Sequence, residues 1–369
     1  MMLDSIALMF SDYTFQVIMV GTAALGAICG VLGGFVVLRK QSLLGDAISH
    51  AALPGIVMAF LFFQVKDNSF LLVGALISGV LGSLWVNGIV RRTHLKTDTA
   101  LGIVLSVFFG FGMLLLTYVQ KQPNAVQAGL DKYLFGQAAT LMYNDVKMLI
   151  LVLGIAVFIV FLFWKELKLL LFDADYALTV GINTRFLDVL ITVFIVMAIV
   201  LGLQTVGVVL MSAMLLAPAA AARQWTNSLG KMLFIAALFG MMSGGLGTVI
   251  SASQPNLSTG PVIVVVAISL VLFSFVFAPQ RGLLSRRVMF QKNKRELKLK
   301  KTLLLMYSLT EQDGGIQSKL SKNKLFEWKE LTPKTVKQLY EKGWIKDAGH
   351  GTIIMTEKGK GVAEQTKLI

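Results

Sequence analysis

Apolar runs long enough to cross a bilayer recur along this chain, and no other feature limits its fold so strongly. A helix needs ~20 mostly apolar residues to traverse ~30 Å of hydrocarbon, where every backbone polar group must be satisfied within the structure. Such runs lie at 16–38, 43–63, 70–90, 99–119, 145–164, 186–202, 206–222, 232–251 and 260–279. Gly202 and Gly207 interrupt one long apolar stretch around the seventh run, so eight or nine crossings are expected. Only 15% of the 369 residues are charged, against ~25% in a typical soluble domain. Most of the chain therefore reads as an all-α polytopic membrane protein with eight or nine transmembrane helices.

Charge divides the sequence and orients it. Up to Gln280, 14 Lys and Arg face 11 Asp and Glu; from Arg281 onward, 20 face 9, so +11 of the net +14 lies in the tail. With nine spans and the amino terminus outside, the inner loops hold ten Lys and Arg and the outer segments four. Positive residues stay inside, which puts the carboxyl-terminal region in the cytoplasm. Glycines at 21, 26, 30, 33 and 34, and at 74, 79 and 82, allow close helix packing in lipid. The single cysteine, Cys29, excludes a disulfide framework within the chain.

One segment places ionisable groups inside a span: Gly45-Asp46-Ala47-Ile48-Ser49-His50-Ala51-Ala52-Leu53-Pro54-Gly55-Ile56. Asp46 and His50 are four apart and share a helix face. An acid and an imidazole at membrane depth usually face a cavity, a partner or a pathway. Together they offer an oxygen and a nitrogen donor suited to a first-row divalent cation. Pro54 lacks an N–H and frees a carbonyl one turn back, around His50. The same pair also admits a structural role, with Asp46 anchoring the helix end and His50 bonded to a neighbour. Two side chains do not fill a coordination shell, so water, a carbonyl or a second copy of the chain must supply the rest.

The run GDAISHAALPGI resembles the signature of the membrane subunit of manganese/zinc/iron-type ABC importers. Lys132-Tyr133-Leu134-Phe135-Gly136, Phe172 to Ala177 with Gly181, Ala217-Pro218-Ala219-Ala220 with Arg223, and Phe277-Ala278-Pro279 with Arg281-Gly282 are similar to further family segments in the same order. The likeness covers roughly residues 10–285. It implies that Asp46 and His50 bind the transported ion, Mn²⁺ or Zn²⁺, with no prosthetic group. It also implies that Asp173, Asp175, Tyr176, Ala177 and Gly181 belong to a loop helix that couples to an ATPase subunit. The implied setting is a bacterial cytoplasmic membrane. The implied partners are that ATPase, an extracytoplasmic metal-binding protein, a second copy of the chain and the surrounding lipid bilayer.

Beyond the permease region, taken as 1–285, a basic juxtamembrane linker at 286–301 is suited to anionic headgroups. Residues 302–369 read as a small α+β domain. Helices are expected at about 296–309, 317–328 and from Thr332 to Lys342. A hairpin through Ile345 and Thr352–Met355 and a last helix from Thr356 should follow. That order resembles a winged helix of bacterial transcription regulators; a regulatory or subunit-contact role is expected first, a passive appendage next, and DNA binding through Lys334 and Lys337, with His350 but no arginine on the wing, is the least favoured. A Gly-x-x-x-x-Gly-Lys-[Ser/Thr] loop is missing, so the chain does not cradle ATP through a P-loop. Three functions stay open on these grounds: permease of an ATP-driven metal importer and not itself an enzyme; proton-coupled secondary metal transporter; and membrane-tethered, metal-responsive DNA-binding regulator.

Overall fold

Every apolar run becomes a helix. The computed structural model describes residues 11–64, 68–121, 136, 138, 141–254, 257–312, 320–321, 333–349 and 352–367. Among these, nine helices are long and apolar enough to cross a membrane. They are α1 (Tyr13–Leu38), α2 (Leu44–Phe63), α3 (Asn68–Arg92), α4 (Thr97–Gln120), α5 (Tyr143–Leu162), α8 (Thr184–Leu203), α9 (Val208–Trp225), α10 (Leu229–Ala252) and α11 (Thr259–Phe277). Two short helices, α6 (Trp164–Phe172) and α7 (Ala174–Thr179), lie between the fifth and sixth of them.

Glycine decides which helices touch. α1 is buried along most of its length, as expected of a helix apolar all round. A Cβ at Gly26 would collide with the carbonyl of Gly240 on α10, and one at Gly240 with that of Gly26. The backbones are close enough there for Thr22 Oγ1 and Thr248 Oγ1 to meet at 2.9 Å. α2 sits against α3 in the same way through Gly55 and Gly74. Small residues let dispersion contacts hold helices together where lipid provides no hydrophobic drive.

The break at Gly207 separates α8 from α9, and both are apolar helices of spanning length. Gly207 has φ +88°, a value that favours glycine. Thr205 and Val206 are fully buried, and Thr205 Oγ1 donates to Gly202 O at 2.8 Å. Non-helical backbone at such depth needs protein around it.

The chain forms two compact units, Met1–Leu283 and Leu284–Ile369. The second contains α12 (Leu283–Gln312), β1 (Leu320–Ser321), α13 (Pro333–Glu341), β2 (Ile345–Asp347), β3 (Thr352–Met355) and α14 (Glu357–Lys367). The antiparallel sheet has the order β1-β3-β2. Its core gathers Leu299, Leu303, Met306, Leu339, Trp344 and Ile353. The helix expected from about 296 begins instead at Leu283: the basic stretch has no Gly or Pro, and Lys, Arg, Gln and Met are good helix formers. The helix expected at 317–328 falls mostly outside the described residues. Leu320 and Ser321, which are described, pair as strand with Ile353 and Thr352 instead.

Candidate functional site

The Asp46–His50 segment is held by the turn that precedes it and by the helices around it. α1 closes with Arg39 N–H donating to Phe35 O at 3.0 Å and Gln41 N–H to Val36 O at 3.1 Å. Lys40, at φ +57°, reverses the chain, and α2 starts at Leu44 with Asp46 in its first turn. A carboxylate there is favoured by the positive end of the helix dipole. Gly45 rests on Ser212 of α9 and Gly55 on α3, which fixes the helix at both ends of the segment.

Asp46 and His50 are half-buried between fully packed neighbours, with Ala47, Ile48, Ser49, Ala51 and Leu53 at 2% exposure or less. One turn separates the pair, ~6 Å along the axis. The His50 ring meets the Phe109 ring edge-on, centroids 4.5 Å apart. Its Nδ1 is buried with no hydrogen-bond partner, and so is the neighbouring Ser49 Oγ. Such groups normally find a partner when buried. Pro54 lies inside the helix, so the His50 carbonyl has no helical donor. The adjacent Ala51 carbonyl accepts from Ser78 Oγ at 2.6 Å. The segment thus presents a carboxylate, an unused imidazole nitrogen and a backbone oxygen. Among the described residues no three His, Cys, Asp or Glu side chains cluster, so one copy of the chain offers a partial coordination shell. His94 is exposed.

The second region is the pair of short helices. Asp173 caps α7 by accepting from Tyr176 N–H at 3.0 Å. Asp175 and Tyr176 are exposed and Ala177 is fully buried. Gly181, at φ +83°, turns the chain back, and Asn183 then caps α8 through Phe186 N–H at 3.1 Å. The five residues singled out here from the sequence therefore fall on one short helix and its exit turn. They lie on a different segment from Asp46 and His50.

Sequence reasoning missed one feature, an ion pair of 2.7 Å between Arg39 Nη1 and Asp188 Oδ1 of α8. Burial pulls the Arg39 pKa down while Asp188 opposes the shift, and an arginine stays cationic regardless. No local spacing announces a pair so distant in sequence. In the second unit, Lys337 is exposed on α13, whereas the Lys334 side chain and His350 lie outside the described residues, as do residues 132–135.

Comparison with known proteins gives concordant findings. A family profile described as the ABC 3 transport family matches residues 11–278. The zinc transport system membrane protein TroC of Treponema pallidum (strain Nichols) is 52% identical over 276 residues, covering 75% of this chain and 93% of that protein. The manganese transport system membrane protein MntC of Bacillus subtilis (strain 168) is 41% identical over 361 residues, covering 97% of this chain and 82% of that protein. Among solved structures, PsaBC from Streptococcus pneumoniae in complex with Fab matches with a TM-score of 0.67 and 30% identity, over 78% of this chain and all of that one.

Proposed function

The chain belongs to the ABC 3 transport family, the multi-pass membrane permeases of metal-ion ABC transporters, and from that premise we propose that two copies form the path of an ATP-driven importer of Mn²⁺ or Zn²⁺. Hydrolysis belongs to a separate ATPase subunit. An extracytoplasmic binding protein delivers the ion, and the amino terminus faces that side of the bacterial cytoplasmic membrane. The tail and the α6–α7 segment face the cytoplasm, in keeping with the ten positive residues counted for the inner loops.

The observation that carries this reading is the buried, unpartnered Nδ1 of His50 one turn from Asp46. A neutral imidazole with a free lone pair and a carboxylate are a natural donor set for a borderline divalent ion. The His50 carbonyl and the same groups from the second copy would complete the shell. As alternating access closes one side and opens the other, these donors replace water around the ion. Asp173, Asp175, Tyr176, Ala177 and Gly181 form the surface that seats on the ATPase, with exposed Tyr176 as its apolar contact.

The energy source tests the reading. In proteoliposomes holding the chain, its ATPase and the metal-loaded binding protein, Mn²⁺ uptake should require ATP and survive an uncoupler. Uptake that collapses with the uncoupler and ignores ATP would instead establish proton-coupled transport.

A further inference from the structure

Arg39 and Asp188 join the two regions assigned above. Arg39 ends α1 immediately before the turn that delivers Asp46, and Asp188 lies in the second turn of α8, just past the exit from α7. Their side chains are 11% and 31% exposed and 2.7 Å apart. An isolated charge so placed is strongly destabilising, whereas a paired one is tolerated.

The stretch between α7 and Asp188 is bonded at almost every step. Ile182 N–H donates to Ala177 O at 3.0 Å, Gly181 N–H to Leu178 O at 3.1 Å, and Thr184 N–H to Ile182 O at 2.9 Å. The Asn183 side chain then caps α8. Ala177 and Leu167 are fully buried, and Phe163 meets Phe186 edge-on at 6.3 Å. These contacts tie α7 to the start of α8.

The pair is also incomplete. Arg39 uses Nη1, while its Nη2 is buried without a partner. A guanidinium fork can hold a carboxylate by one arm or by two, and here one arm is unused. Coupling between sites needs an element with two discrete arrangements that both sites bias.

We propose that the Arg39–Asp188 ion pair is the positioning link that passes movement of α7 to the turn carrying Asp46 and His50, alternating between its one-armed form and a two-armed form. The proposal rests on the importer reading of the two regions and adds the connection between them. The role of the pair is to make hydrolysis productive.

The test measures, in the reconstituted full complex, Mn²⁺ taken up per ATP hydrolysed for Arg39→Gln, Asp188→Asn, the double variant and Arg39→Lys. The ratio should fall about tenfold in each neutral single variant, within the usual range for coupled sites. The double variant should be no worse than either single one, because the second change removes a link already broken. Arg39→Lys, which keeps the charge and loses the fork, should fall between. A ratio that stays at wild-type while both rates drop together marks a purely structural pair and overturns the proposal, as does a double variant whose deficit is the product of the singles. If the wild-type complex shows no ATP-dependent uptake at all, the importer reading fails first and takes the link with it.

Discussion

His50 keeps a buried nitrogen without a partner, and Pro54 leaves the His50 carbonyl without its helical donor. The first deficit costs stability because the nitrogen is buried, the second because the helix loses a bond, and the two meet at one residue. A proline in a helix interior destabilises by ~3 kcal/mol or more, so its presence at the most tightly packed part of α2 calls for a return in function. In the proposed importer, exposing the carbonyl to a passing cation supplies one. Replacing Pro54 with Ala restores an N–H and closes that carbonyl into the helix. The expected outcome is a several-fold drop in Mn²⁺ uptake while the melting temperature of the purified chain is unchanged or higher. A fall in both together, seen by thermal unfolding in detergent, would make Pro54 a packing residue only.

At the scale of elements, the α1–α10 seam holds the bundle's centre, and its glycines are not interchangeable with those elsewhere. A side chain at Gly26 has to move backbone, because the atom in its way is the Gly240 carbonyl oxygen. Gly88 on α3 faces open space. Gly26→Leu should destabilise by about 3 kcal/mol or more, at the upper end of overpacking effects. Gly88→Ala should be neutral or stabilising by up to about 1 kcal/mol through helix propensity. Paired melting curves decide it, and equal shifts for the two variants would refute the seam. The helices themselves were legible in the sequence because a 20-residue apolar run is a local signal that needs no partner. Asp46 and His50 stand out for the complementary reason, as ionisable groups where the run should be apolar. The early start of α12 was hidden because its first turns follow propensity without an apolar stripe. The pairing of Leu320–Ser321 with β3 was hidden because it depends on residues more than thirty positions away. The Arg39–Asp188 contact had no signal at all: each residue alone is one more charge at a span end.

For the molecule as a whole, the separation of charge follows from what each unit must do. The first unit is apolar outside as well as inside, with exposed Phe62, Phe111, Phe158 and Phe161 among many, as a body surrounded by lipid requires. The second unit carries most of the net charge and a small hydrophobic core of its own. It has a counterpart in the Bacillus relative, whose similarity runs over 361 residues, while the Treponema relative aligns over 276. The proposed role of Asp46 and His50 in handling the ion is measured directly by the initial rate of Mn²⁺ uptake into proteoliposomes containing the full complex. Asp46→Ala and His50→Ala should each lower the rate at least about tenfold, since even the groups that merely orient metal ligands cost 10–100-fold when lost. Complex assembly should be unaffected in both. Wild-type uptake in both variants would contradict the account.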